Sequence, residues 1–396
     1  MDLGLLSLLI IASGLLFYRI EDPDSYIFDE TYYVQAARVI DGQPVQPEGL
    51  PSDWFSRCDP NREHPPLAKV IMAAGIHYIQ APGISWRFPS IILGLVSLVC
   101  VYSIVGRLGN RTMARWAVAI LMTENLFFIH SRIATLDIYV ATFDLLALAF
   151  YVRNRPEFAG ISLALATVCK LNGLFLAGVP ILYEMFCWAV SRKSDKPEKF
   201  RFKPLIAFFA FYLPFMLLSL GALDNQWTEF RNPFAHLKHI VTYGKNLARE
   251  AGVEPQGIES TPLQWWLNEK NIDYFTMSLT KGANSATPIR FRGILSPYLL
   301  MATPFAALYC LQRCRKGDRL ACLGLIVIVC NYLPFLLTWL KYRRICYIYY
   351  MLPIVPALTI ITVCLLSECP RWARWVFLAA HVYSLALYFP FHGGAA

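Results

Sequence analysis

Charge is what this chain lacks. Of its 396 residues only 16% are Asp, Glu, Lys or Arg, while 56% are hydrophobic; an ordinary soluble domain carries about 25% charged residues. A soluble enzyme is excluded on that ground. There is no CxxC pair and no Cys/His cluster at zinc spacing among the 11 cysteines. Cys100, Cys187, Cys322, Cys330 and Cys364 sit inside apolar runs and read as small hydrophobes. Cys58 falls in a long polar loop, so no disulfide framework is implied. No internal repeat is found. The opening run "LGLLSLLIIASGLLFY" lacks the basic flank and small-residue cleavage site of a signal peptide and reads as a retained first helix.

What is present is a succession of apolar runs near the roughly 20 residues that span a bilayer. The expected architecture is an all-α polytopic integral membrane protein, one domain over 1–396. Its eleven spans run roughly 3–19, 86–105, 115–130, 133–152, 157–171, 172–190, 204–222, 294–312, 319–340, 345–366 and 373–391. With the N-terminus cytoplasmic, the inner loops "GRLGNRTMAR", "RNRPE", "SRKSDKPEKFRFK", "RCRKGDR" and "ECPRWAR" are all basic, as the positive-inside rule requires. The net charge of +9 is thereby accounted for without nucleic acid.

This topology leaves two long external loops, about 20–85 and 223–293. "DETYYVQAARVI", "HPPLAKVIMAAGIHYI" and "FRNPFAHLKHIVTYGKNLAREAG" carry apolar residues at helical spacing and are expected to lie as amphipathic helices along the interface. Between the first two runs the turn-rich "DGQPVQPEGLPSDWFSRCDPN".

Several charges are not explained by topology. Arg87, Arg132, Lys170, Lys341, Arg343 and Arg344 fall at outer ends of spans, and Asp137 lies about one turn into the span after Arg132. Each cation alone could snorkel to headgroups, and Asp137 could simply pair with Arg132. Taken together they form a cationic pocket for an anion at the outer leaflet. Beside it stands "SYIFDETYY", whose adjacent acids Asp29 and Glu30 suit chemistry on a lipid-linked phosphate: a carboxylate removes a hydroxyl proton while cations stabilise the departing phosphate. The competing reading is that Asp29 merely caps the helix that follows.

Six collinear stretches carry a family resemblance: "FDETYYVQAARVI", "HPPLAKVIMAAG", "SWRFPSIILG", "SRIATLDIYVATF", "CKLNGLF" and "RICYIYYMLPIVPAL". Together they resemble the protein O-mannosyltransferases, glycosyltransferase family 39 of the GT-C superfamily. The second external loop is too short for the β-trefoil domain of the eukaryotic members, "ESTPLQWWL" only faintly echoes their Ser/Trp-rich segment, and Tyr350 stands where the late motif often has His.

The resemblance implies a GT-C fold and an inverting transfer of mannose, or a similar hexose, from a polyprenyl- or dolichyl-phosphate sugar to Ser/Thr hydroxyls of a secreted or membrane protein. Asp29 would be the base and Glu30 would bind or orient substrate. Arg87, Arg132, Lys170 and Arg344 would hold the phosphate, with Asp137 orienting Arg132. His64 and Trp265 would line the acceptor groove. No cofactor is required; a divalent metal, used by related oligosaccharyltransferases, is not demanded because the leaving group is already a good anion. The short second loop favours a prokaryotic plasma membrane over the endoplasmic reticulum, with the site on the extracytoplasmic side. Two rival readings are the same donor chemistry with a lipid or glycan acceptor, and a lipid-phosphate flippase. A flippase would place its polar residues near mid-membrane, often in paired repeats.

Overall fold

A computed structural model describes residues 2–43, 58–192, 199–247, 257–277 and 289–391. The chain opens with α1 (Leu3–Phe17), apolar on all sides and capped by the Asp2 carboxylate, which accepts from the Leu5 amide and pairs with Arg115. The first external loop supplies α2 (Glu30–Ile40) and α3 (Leu67–Ile79). Most of its turn-rich stretch, 44–57, lies outside the described residues.

Next come α4 (Ile84–Leu108), α5 (Arg111–Met122), α6 (Asn125–His130), α7 (Leu136–Val152) and α8 (Pro156–Cys169). A 3-10 turn, Leu171–Ala177, leads into α9 (Gly178–Ser191), and α10 (Phe202–Trp227) follows. The second external loop holds α11 (Pro233–Asn246), the single turn α12 (Pro262–Trp265), and the strands β1 (Ile272–Met277) and β2 (Ile289–Gly293). The bundle closes with α13 (Pro297–Arg315), α14 (Arg319–Tyr342), a 3-10 turn Ile348–Met351, α15 (Val355–Leu366) and α16 (Arg371–Leu387).

Most of the expected apolar runs are helical, the run 345–366 only from Val355 after the 3-10 turn, and the architecture is that of a multi-pass membrane protein. Four helical segments are long and apolar enough to cross a bilayer unaided: Ile84–Leu108, Leu171–Ser191, Phe202–Trp227 and Arg319–Tyr342. α1, α3, α8 and α15 are shorter apolar helices. Leu218, Phe305 and Trp372 project outward almost unshielded by protein, as side chains facing lipid do.

Two expectations are refined. The run 115–130 is broken after Thr123, because Glu124 leaves the helix to cap α6: one carboxylate oxygen accepts from the Phe127 amide at 2.7 Å, the other from the Ser296 amide at 2.9 Å. A buried carboxylate here satisfies the starts of two helices, which lowers the cost of taking it out of water. The all-α expectation also missed the antiparallel pair β1–β2. Close helix packing is steric in origin. A Cβ on Gly160 of α8 would stand 2.3 Å from the Phe208 carbonyl oxygen of α10, so only glycine permits that approach.

Candidate active site

The turn before α2 sends its two acids in different directions. Glu30 is fully buried. Its carboxylate accepts from the amides of Ile27 and Ala134, each at 2.9 Å, and from Arg87 Nε and Nη2 at 3.0 and 2.9 Å. Arg87 spends its remaining N–H groups on the carbonyls of Ile20, Pro23 and Ser25 at 3.1, 2.7 and 2.9 Å. All five guanidinium donors are taken. Arg87 therefore fastens the turn before α2 to α4, and it has no donor left for a phosphate.

Arg132 is likewise internal. Its Nη atoms donate to the carbonyls of Leu15 and Tyr18, both at 2.6 Å, closing the C-terminal end of α1, where a cation complements the helix dipole. Asp137 does not orient it. That carboxylate holds Lys170 Nζ at 2.8 and 3.0 Å instead. The expected grouping around a phosphate is thus corrected for Arg87, whose donors go to Glu30 and to backbone carbonyls; the Arg132 Nη atoms are held by carbonyls at the end of α1, and its buried Nε keeps no partner.

Asp29 occupies the N-cap position of α2, but its side chain makes no capping bond, so the competing capping role is absent. It is partly open, with the Tyr33 hydroxyl 3.5 Å away. Burial pushes its carboxyl up to about 7; Lys170 pulls it down and Asp137 pushes it up. The residue before it, Phe28, packs its ring 4.7 Å from Tyr274 and 5.8 Å from Tyr349, centre to centre. The Lys170 ammonium lies 5.4 Å from the ring centres of Tyr349 and of Tyr350. Asp137 uses two of its three N–H bonds, leaving one.

Three neighbouring cations end α14 and begin the next segment, and they differ in setting. Lys341 and Arg343 are exposed, the latter stacked 5.3 Å over Trp339. Arg344 is half-buried, its Nε is without a partner, and its charge reaches Tyr350, Tyr243 and His64. Of these cations, Lys170 is the one whose charge acts on Asp29.

His64 lies with its ring 6.0 Å from Tyr33, and burial together with Lys170, Lys69 and Arg344 holds its pKa well below the ordinary histidine value. It is a neutral imidazole at the edge of the site. Trp265 is not part of an open groove. It is fully buried, donates to Ser260 Oγ at 2.9 Å, and packs edge-on against Tyr350. It braces the site from behind. The sequence reading missed His130, Tyr274, Tyr33 and Tyr349; for Tyr349 and Tyr33 the signal was their place within quoted motifs, whereas nothing marked Tyr274. Among the described residues no group of three or more His, Cys, Asp or Glu could hold a metal.

Residues 63–231, which contain Arg87, Arg132, Asp137 and Lys170, match the family model described as dolichyl-phosphate-mannose-protein mannosyltransferase. The match covers less than half of the chain, and over that stretch the chain is similar to this family. Similar curated proteins are the polyprenol-phosphate-mannose–protein mannosyltransferases of Mycolicibacterium smegmatis, 28% identical over 138 residues, and Mycobacterium tuberculosis, 29% identical over 138 residues. In each case the alignment covers 34% of this chain and 25% of the relative, so the match spans about a quarter of those proteins. The fold is similar to the S. cerevisiae protein O-mannosyltransferase Pmt1-Pmt2 complex bound to the sugar donor, with TM-score 0.75, 14% identity and coverage of 99% of this chain and 90% of that one. It is also similar to ArnT from Cupriavidus metallidurans bound to undecaprenyl phosphate, with TM-score 0.62, 14% identity and coverage of 96% and 62%. The fold of this chain is thus the one these two structures share.

Proposed function

We propose that the chain is an inverting mannosyltransferase that moves mannose from a polyprenyl-phosphate carrier to Ser or Thr hydroxyls of a protein acceptor, at the extracytoplasmic face of a prokaryotic plasma membrane. The observation that carries this reading is the placement of Asp29. Burial holds its carboxyl up to about 7 and the charge of Lys170, which keeps a spare N–H, acts on it, while Arg344 keeps an unpartnered Nε. The names of the mycobacterial relatives and the matched family model support the donor class.

In the proposed step Asp29 takes the acceptor hydroxyl proton as the oxygen attacks the anomeric carbon. The bond from that carbon to the phosphate oxygen breaks on the opposite face, inverting the centre. Polyprenyl phosphate departs, its new charge met by Lys170 and Arg344, and Asp29 gives up its proton to the leaving phosphate or to water. The protein's contribution is alignment and electrostatic stabilisation. No metal enters the step, because the departing group is an anion already.

The test is transfer of labelled mannose from polyprenyl-phosphate mannose by purified protein, with a Ser/Thr peptide, a glycan and a lipid acceptor in parallel. Transfer to the peptide with inverted configuration supports the proposal. Transfer only to lipid or glycan moves the acceptor assignment, and no transfer to any acceptor overturns the reading.

A further inference from the structure

Phe28, the residue before Asp29, has φ +53°, the left-handed region that a bulky side chain rarely enters. Such strain persists only where the surroundings enforce it. The surroundings here are aromatic: the Phe28 ring lies 4.7 Å from Tyr274 and 5.8 Å from Tyr349, centre to centre.

Tyr274 itself is specially placed. It falls at the irregularity between Asp273 and Phe275 where the β1–β2 register slips, and a bulge of this kind re-aims a side chain. The re-aimed ring crosses the opposite strand at Gly293, where a Cβ would stand 2.3 Å from the Tyr274 hydroxyl oxygen. That hydroxyl is then tied down by His130 Nε2 at 2.9 Å, and His130 Nδ1 is paired with Thr135 Oγ1 at 2.8 Å. The bulge, the glycine, the imidazole tether and the strained Phe28 form one continuous chain of contacts. It runs from α6 through the second external loop to the backbone of Asp29.

We infer that Tyr274 is a positioning residue: the bulged hairpin clamps Phe28 in its left-handed conformation and so aims the Asp29 carboxyl into the site. This rests on the mannosyltransferase reading for its rate predictions and on none of it for its structural ones. Without the clamp Phe28 relaxes to ordinary backbone angles, and Asp29 swings toward water.

The experiment compares Tyr274→Ala and Tyr274→Phe with wild type. For Tyr274→Ala the expected result is a fall in kcat on the order of 10²-fold, the scale of an ångström-level misplacement, with donor KM unchanged. Tyr274→Phe keeps the ring and loses only the His130 tether, so about a five-fold fall is expected, the worth of one neutral hydrogen bond. Phe28→Ala combined with Tyr274→Ala should be no worse than the poorer single variant, because both act through one contact. The readout independent of turnover is esterification of protonated Asp29 by a diazo reagent, followed by mass spectrometry across pH. Asp29 is faced by the charges of Lys170 and Asp137 and by the Tyr33 hydroxyl, and its midpoint near 7 should drop toward the ordinary carboxylate range in Tyr274→Ala. Should Tyr274→Ala fail to fold, the isosteric Tyr274→Phe carries the kcat test. Wild-type kcat in a folded variant, or an unmoved Asp29 midpoint, overturns the proposal. Failure of the wild-type protein to transfer mannose would sink the functional reading alone, since the esterification result still decides the clamp.

Discussion

At Asp29 a carboxyl that ordinarily titrates near 4 is held up to about 7 by burial, with Lys170 opposing and Asp137 assisting. Only the deprotonated form can act as a base. Because the pKa is raised, the proton leaves as pH climbs through about 7, so turnover should rise across that window and fall about ten-fold per unit below it. A pH series of initial rates checks this. Asp29→Asn should cost 10²- to 10⁴-fold, roughly the usual contribution of general base catalysis, while retaining donor binding measured by isothermal titration. On the phosphate side, Arg344→Ala should weaken donor affinity about 10- to 100-fold, the scale of a lost charge-assisted hydrogen bond. Arg343→Ala, which removes an exposed side chain stacked on Trp339, should leave it within two-fold. Equal effects of the two substitutions would reject the assignment of Arg344.

The junction of α2 with α4 depends on the buried pair Glu30–Arg87, fully hydrogen-bonded on both sides. Breaking one partner of such a pair costs about 3–5 kcal/mol. Arg87→Met and Glu30→Gln should therefore appear first as a lowered melting temperature in detergent, ahead of any loss of donor affinity. Arg87→Lys should not rescue, since one ammonium cannot replace a fork serving five acceptors. Much of this level was legible beforehand. Apolar runs announced every long helix, and Asp29 was picked out by its company of aromatics at the end of a membrane run. The break at Glu124 was not legible, because the acid's partners, the amides of Phe127 and Ser296, lie far apart in sequence. Nor was the fate of Arg87 and Arg132, whose acceptors include carbonyls common to every residue. "NIDYFTM" and "IRFRG" are too short and mixed to signal a hairpin, and so Tyr274 stayed hidden.

For the molecule as a whole, the two external loops are interlocked. The Asp59 amide donates to the Trp227 carbonyl, Arg62 pairs with Glu229, and His236 bridges Asp224 Oδ1 at 2.7 Å and the Arg62 carbonyl at 3.0 Å. Beneath them Lys69 and Asp59 form a fully buried pair. If the basic loops face the cytoplasm, as the positive-inside rule has it, this whole assembly lies on the outer side. Cys58, exposed beside Asp59, offers the check: a membrane-impermeant maleimide should label it in intact cells without permeabilisation. Labelling that requires permeabilised cells would invert the topology.

The interlock has a bearing on biosynthesis. Asp29 leaves the ribosome early; Lys170 follows, then the hairpin, and last of all Arg344 and Tyr349. A nascent chain halted after α10 would carry the proposed base yet hold neither the second cation nor the strand that keeps Phe28 twisted. The arrangement around Asp29 is thus complete only once these late segments have followed.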